Sequence, residues 1–393
     1  MHLELSEEQR LLADSIERFL RDHYAFERRR ELLAGSEPFG RDTWQAFADL
    51  GLLALPFAET QGGLGGGAVE LLLLAEALGR HLVVEPYFET VILAGGLLAA
   101  CGGERAAALL EGIQSGAVQG AFAYAERGGG LPESAVATRA QPAAGGWRLA
   151  GRKAVVFNGA AADFLLVTAS EETEGGAGAP ALFLVPGEAP GVHRRPYRTW
   201  DGRSACELEL AGVELPAEAR LFDAAAFAGA WARVRDRALL FLCAEALGGM
   251  EGAFAATVEY TKGRVQFGQP LARFQVVRHR LVDMYIQKEL ARSLVQALAW
   301  HLDRDDPAAP RIAAAAKAQL SAAGRFVTEN AIQLHGGIAM TDEYHVGHYL
   351  KRQAVIDALL GDRAWHLARY RRLADGGALQ ATETEGGGPW TSS

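Results

Sequence analysis

Cysteine is scarce in this chain of 393 residues: Cys101, Cys206 and Cys243 stand far apart, with no Cys-x-x-Cys among them. That excludes a disulfide framework and a zinc knuckle, and it points to a reducing compartment. Runs of basic residues are also missing. The net charge is −9 and the isoelectric point about 5.7, so the basic footprint of a nucleic-acid binder is absent and no nucleic-acid partner is expected. No apolar run reaches the ~18–20 residues of a membrane span. The stretch VILAGGLLAA is too short and is broken by glycines. The N-terminus, MHLELSEEQRLLADSIERFL, is amphipathic and acidic, unlike a secretory leader. The expected location is cytoplasmic.

What the chain does have is apolar residues, 49% of the total, and enough length for two or three domains with sizeable cores. Residues 1–118 read as a helical domain. Ser6 and Gln9 form an S-x-x-Q capping box, and Leu12, Ile16, Phe19 and Leu20 follow on one stripe. Gly51 suits a helix end, AVELLLLAEALGR a more deeply buried helix, and ERAAALLEGIQSG a helix closing near Gly116. The loop ETQGGLGGG lacks the spacing of a phosphate loop and follows no strand, so a flexible connection is expected there. Residues 119–225 change character to short apolar or alternating runs divided by Gly and Pro. Leu208 and Leu210 fall on one face, Glu207 and Glu209 on the other, as in a small antiparallel barrel or sandwich. Residues 226–373 return to helix, over roughly 227–262, 271–303, 308–335 and 342–372, which makes a four-helix bundle. Residues 374–393 read as a disordered tail. The fold class expected is α+β, mostly α.

The stretch YTKGRVQFGQPLARFQ interrupts the first bundle helix. Pro270 fits the first turn of a restarted helix, where its missing N–H costs nothing. A helix start there offers free N–H groups to a phosphate, and Arg264 a bidentate grip. By itself the stretch reads rather as a Gly-Pro helix corner with a solvated arginine.

Two segments, taken in order with this helix–sheet–helix arrangement, resemble the acyl-CoA dehydrogenase family. RVQFGQPLARFQ is similar to its Arg-x-x-Phe-Gly-x-x-x-x-x-x-Gln, and AIQLHGGIAMTDEYHVGHYLKR to its Gln-x-x-Gly-Gly-x-Gly followed by Thr-x-Glu and a late Arg. The likeness runs to about residue 372 and is closest to small subunits of the pimeloyl-CoA dehydrogenase type. It implies an N-terminal helical domain, a central antiparallel β-domain and a C-terminal bundle. It implies FAD as cofactor, an acyl-CoA substrate, α,β-dehydrogenation and an electron-transfer flavoprotein as partner. Carried over, Arg264, Gln266, Phe267 and Gln275 hold the FAD of a neighbouring subunit, and Gln333 and Gly337 complete the contact. A dimer or tetramer follows, with a second family member as a possible partner chain.

The same resemblance exposes departures. The family's catalytic glutamate falls at Gly361 in its commonest branch and at Ala238 in others, and neither is acidic. Asp362 is the nearest carboxylate, open to two readings: a displaced base, or the N-cap of a helix starting near Arg363. The flavin-facing segment reads YAERGGGLPES, and Val155 and Phe157 replace a tryptophan and a threonine. A catalytic dehydrogenase, a supporting subunit of a heteromer, and an oxidase or monooxygenase on the same fold remain alternatives. His345 and His348 are spaced as H-x-x-H but lack a third ligand, so no metal is expected.

Overall fold

The computed structural model describes residues 4–171 and 178–375. Six helices come first: α1 (Glu7–His23), α2 (Phe26–Ala34), α3 (Arg41–Asp49), α4 (Ala68–Arg80), α5 (Gly96–Cys101) and α6 (Glu104–Gln114), with a buried π-helical turn, Tyr87–Gly95, leading into α5. The capping box forms as expected, Gln9 N–H donating to Ser6 Oγ and Ser6 N–H to the Gln9 amide oxygen. Ile16 and Leu20 are buried beneath it. Gly51 and Gly116 end their helices at φ +73° and +78°.

The loop between α3 and α4 is packed rather than flexible. A Cβ on Gly63 would lie 2.1 Å from the Phe57 carbonyl oxygen, and one on Gly66 2.7 Å from that of Leu55. The glycines serve close backbone approach within the chain.

The sheet contains β1 (Gly120–Ala123), β2 (Arg139–Ala143), β3 (Gly146–Phe157), β4 (Phe164–Glu171), β5 (Pro180–Pro186), β6 (Val192–Arg198), β7 (Ser204–Pro216) and β8 (Arg220–Phe222). Their order is β6-β7-β3-β2-β4-β5-β8, with β1 beside β4. Pairings are antiparallel except β1/β4 and β2/β4. In β7 the alternation behaves as read: Leu208 and Leu210 are buried while Glu207 and Glu209 face outward.

The C-terminal region is α7 (Ala224–Gly263), a two-residue ladder of β9 (Val265–Gln266) with β10 (Gln269–Pro270), then α8 (Gln275–Leu302), α9 (Ala309–His335), α10 (Val346–Ala358) and α11 (Arg363–Ala374). At 40 residues α7 is long and apolar enough to cross a membrane. It is apolar on nearly every side because α4, α8, α9 and α10 surround it. The crossing with α4 is glycine on glycine: a Cβ on Gly79 or Gly248 would lie within 2 Å of the facing helix's carbonyl oxygen.

Two expectations change. Pro270 closes the small ladder, and the new helix begins at Gln275 after a 3-10 turn. The last bundle segment is two helices, broken where Leu360 and Gly361 take φ +55° and +101°. The tail beyond residue 375 lies outside the described residues.

Candidate functional site

The break after α7 is a hairpin, not a corner. Its two turn residues, Phe267 and Gly268, have φ +53° and +80°, the signs a type I′ turn requires. Glycine suits such a turn; phenylalanine there costs ~1–3 kcal/mol of backbone strain. Phe267 is also 90% exposed, touching only the Phe274 ring edge-on at 6.1 Å. The Leu271 N–H donates to the Arg264 carbonyl, which holds the hairpin's base. The side chains of Arg264, Gln266 and Gln275 all stand exposed, and Gln266 bonds only the neighbouring Val265 carbonyl.

The second segment lies at the same end of the bundle. Tyr260, one turn before the end of α7, stacks on His335 at 4.3 Å and donates its hydroxyl to the His335 carbonyl. Just beyond are exposed Gly336, at φ +68°, and Gly337. A Cβ on Gly337 would meet nothing within 4 Å, so no contact among the described residues demands glycine there. Gln333 is exposed beside it. The structure therefore brings Arg264, Gln266, Phe267, Gln275, Gln333 and Gly337 to one open end.

At the α10–α11 turn, Lys317 is fully buried and donates from Nζ to the carbonyls of Asp357 (3.1 Å) and Gly361 (2.9 Å). Burial lowers its pKa. A Cβ on Gly361 would lie 2.7 Å from the Trp365 ring. Asp362 is exposed, and its carboxylate accepts the Trp365 N–H at 2.8 Å as the N-cap of α11. Ala238 is fully buried inside α7, and its neighbour Asp236 is held by Arg369 at 2.8 Å.

On the sheet side, Glu126 binds the buried Lys153 at 2.8 Å. Burial alone raises the Glu126 pKa, but hydrogen bonds from Lys153, Thr138 and Ala137 outweigh it and hold the carboxyl at about 2. Val155 and Phe157 are half-buried. Asn158, at φ +56°, donates its amide to Thr90 and Gln119.

Motif reading missed a buried charge network joining all three regions. Arg352 on α10 grips Glu245 of α7 with two bonds, 2.8 and 2.7 Å, and reaches Asp201 at 2.9 Å. Arg203 donates to the same glutamate at 2.6 Å. Arg29 of α2 joins through the Asp201 carbonyl and His348 Nδ1. Burial pushes the Glu245 carboxyl up, and Arg203 and Arg352 bring it below its usual range. One signal was legible: Glu245 is the sole charge between Arg237 and Glu251. His348, read as one of a histidine pair, belongs here; burial and then Arg29 push its pKa down to about 4.

Comparison with known proteins adds to this geometry. Family models described as the N-terminal, middle and C-terminal domains of acyl-CoA dehydrogenase match residues 6–116, 121–213 and 236–372. Acyl-CoA dehydrogenase FadE27 of Mycobacterium tuberculosis is 32% identical over 361 residues, which is 89% of this chain and 92% of that protein. A solved Tcur3481–Tcur3483 steroid ACAD variant is 32% identical with a TM-score of 0.84, covering 95% of this chain and 99% of that one. The ChsE4–ChsE5 complex from Mycobacterium tuberculosis is 29% identical at a TM-score of 0.83, with coverage of 95% and 99%. A structure titled for the electron transferring flavoprotein of Acidaminococcus fermentans includes a chain 26% identical at 0.87, with coverage of 95% and 99%.

Proposed function

Since this chain belongs to the acyl-CoA dehydrogenase family, we propose that it works in FAD-dependent dehydrogenation of an acyl-CoA as the cofactor-clamping chain of a two-chain assembly. In this reading a second family member carries the base, and electrons leave to an electron-transfer flavoprotein. The observation that carries it is the state of the base positions. Gly361 has no room for a side chain beside Trp365, Ala238 is an apolar buried residue, and the Asp362 carboxylate is exposed and engaged as a helix cap. A base for the α-proton needs a setting shut off from water, and the Asp362 side chain is exposed.

The residues at the open end fit a flavin dinucleotide. Arg264 offers a cationic fork for a pyrophosphate, the N-terminus of α8 at Gln275 adds backbone N–H groups, and Gly337 leaves space for close approach. Phe267 supplies an apolar ring to lie against the cofactor or the neighbouring chain. When bound, FAD accepts the hydride from the acyl β-carbon. This chain's own part is to hold the dinucleotide in place and to exclude water from its outer side.

Two of the similar structures are named as pairs of components, and one as a steroid ACAD. Those names favour a two-chain assembly here and make steroid-derived acyl-CoAs the first substrates to try. The test is to purify the chain alone and with a second family subunit, then follow flavin absorbance on adding acyl-CoA. The reading expects bleaching only with both chains present. A lone chain that retains stoichiometric flavin and bleaches with acyl-CoA overturns it.

A further inference from the structure

After β1 the chain leaves the sheet as a loop whose two ends are fastened by one carboxylate. Glu126 accepts from the backbone N–H of Ala137 (2.7 Å) and Thr138 (2.9 Å), from the Thr138 hydroxyl (2.6 Å) and from Lys153. Inside the loop, Gly128, Gly129 and Gly130 take φ +98°, +90° and +142° in succession. A Cβ on Gly128 or Gly129 would meet nothing within 4 Å. Packing does not hold these glycines, and they give the loop freedom to pivot.

The far side of the loop is fastened to α7 through one side chain. Glu133 accepts from Trp231 Nε1 at 2.6 Å and from Arg235 at 3.2 Å, and Pro132 beside it is buried. Beneath lies the seam between β1 and α7. Trp231 is buried against the Phe122 ring at 5.6 Å, and Phe122 lies 5.2 Å from that of Tyr124. Glu89, on the π-helical turn, is buried with one carboxylate oxygen unpartnered. Burial, then the charges of Glu133 and Glu89, push the Tyr124 hydroxyl pKa up. The other Glu89 oxygen lies 3.8 Å from the Arg203 guanidinium, so the seam combines aromatic rings with one buried acceptor still open to a donor.

We infer that residues 127–135 are a hinged flap, with Glu133 as its latch, that shuts the seam between β1 and α7. Glu126 is the fixed hinge post and the glycine run the pivot. The latch holds two charge-assisted bonds to one helix. At the loop's return Val136 is buried and donates its N–H to the Gly178 carbonyl at 3.3 Å, so releasing the latch frees the loop as far as residue 135 and leaves the sheet undisturbed. The inference leans on the proposed function only in that this segment occupies the family's flavin-facing position; the flap itself follows from the loop's own contacts.

Hydrogen exchange read by mass spectrometry on the full chain, with no flavin or acyl-CoA added, tests the flap separately from that reading. In Glu133→Ala, peptides covering 127–135 should exchange about ten-fold faster or more, the loss expected for a charged hydrogen-bond pair. Peptides of β4 should be unchanged. Trypsin should cut after Arg127 faster by a similar factor. Glu133→Gln, which keeps an acceptor for Trp231 and loses the ion pair with Arg235, should fall between. If Glu133→Ala folds poorly, Arg235→Ala removes one bond only and should still quicken the loop. Equal exchange at 127–135 in wild type and all three latch variants, or exchange of the loop only in step with β4, overturns the flap.

Discussion

Arg264 is the residue on which the proposed clamp rests, and its side chain is exposed, with no structural duty among the described residues. Arg264→Ala should therefore leave folding alone and weaken flavin retention in the assembly. A charged contact to phosphate is worth roughly 1.5–3 kcal/mol, or one to two orders of magnitude in affinity. Flavin lost on gel filtration, with unchanged circular dichroism and an unchanged melt of the flavin-free form, is the expected result. Asp362 separates structure from chemistry in the same way. Asp362→Asn keeps a capping acceptor and removes the ionisable group, so flavin reduction in the two-chain assembly should be unaltered. Asp362→Ala should cost about 1 kcal/mol of stability through the lost cap. A fall of ~10²–10⁴-fold in reduction rate for the asparagine variant would mark Asp362 as the base after all.

Elements were legible where periodicity speaks and silent where contact is remote. The capped first helix, the alternating β7 and the long bundle helices follow from spacing alone. The break at Leu360–Gly361 does not, because a positive φ on leucine has no sequence signature and a lone glycine is a weak one. The hairpin at Phe267 hid for the same reason, since turn chemistry predicts Asn or Gly where phenylalanine stands. The proposed clamp residues come from resemblance, and their exposure and shared location depend on Tyr260 meeting His335, a packing fact. The charge network was out of reach: Arg352 and Glu245 are 107 residues apart, and Arg29 and His348 319. It ties α2, the sheet, α7 and α10 together. Breaking it by Arg352→Ala leaves Glu245 with Arg203 alone and takes from Asp201 its closest cation, and should cost ~3–5 kcal/mol, read as a lowered melting temperature. Acid should loosen the same elements. His348 and, at the base of α11, His366 are held neutral, with pKa values lowered to about 4 and about 3, in each case chiefly by burial. An unfolded chain takes up those protons near pH 6.5, so the stability they contribute is complete above that value and lost as the pH falls toward 4. Denaturation melts from pH 7 to 4 should show that decline, and His366→Gln should flatten it.

At the level of the whole molecule, the proposed sharing of a cofactor across two chains would tie assembly to flavin content. Dilution should release flavin and smaller species together, which sedimentation with flavin absorbance can follow. A stable monomer carrying a full flavin contradicts the clamp. The surface beside the clamp points the same way. Val282, Ile286 and Leu290 recur every fourth residue along α8, all about half exposed, with Tyr285 between them and Met340 74% exposed beyond the end of α9. Monomeric proteins rarely present such a contiguous apolar stretch. This row has a consequence for supply. In the proposed two-chain assembly, a cell that makes this chain faster than its partner accumulates orphans whose sticky side faces the solvent. Such orphans self-associate or are cleared by proteolysis, so abundance is set by whichever chain is scarcer. Expressed alone, the chain should give low soluble yield and broad, concentration-dependent sedimentation; expressed with its partner, the yield should rise several-fold and track the partner's dose.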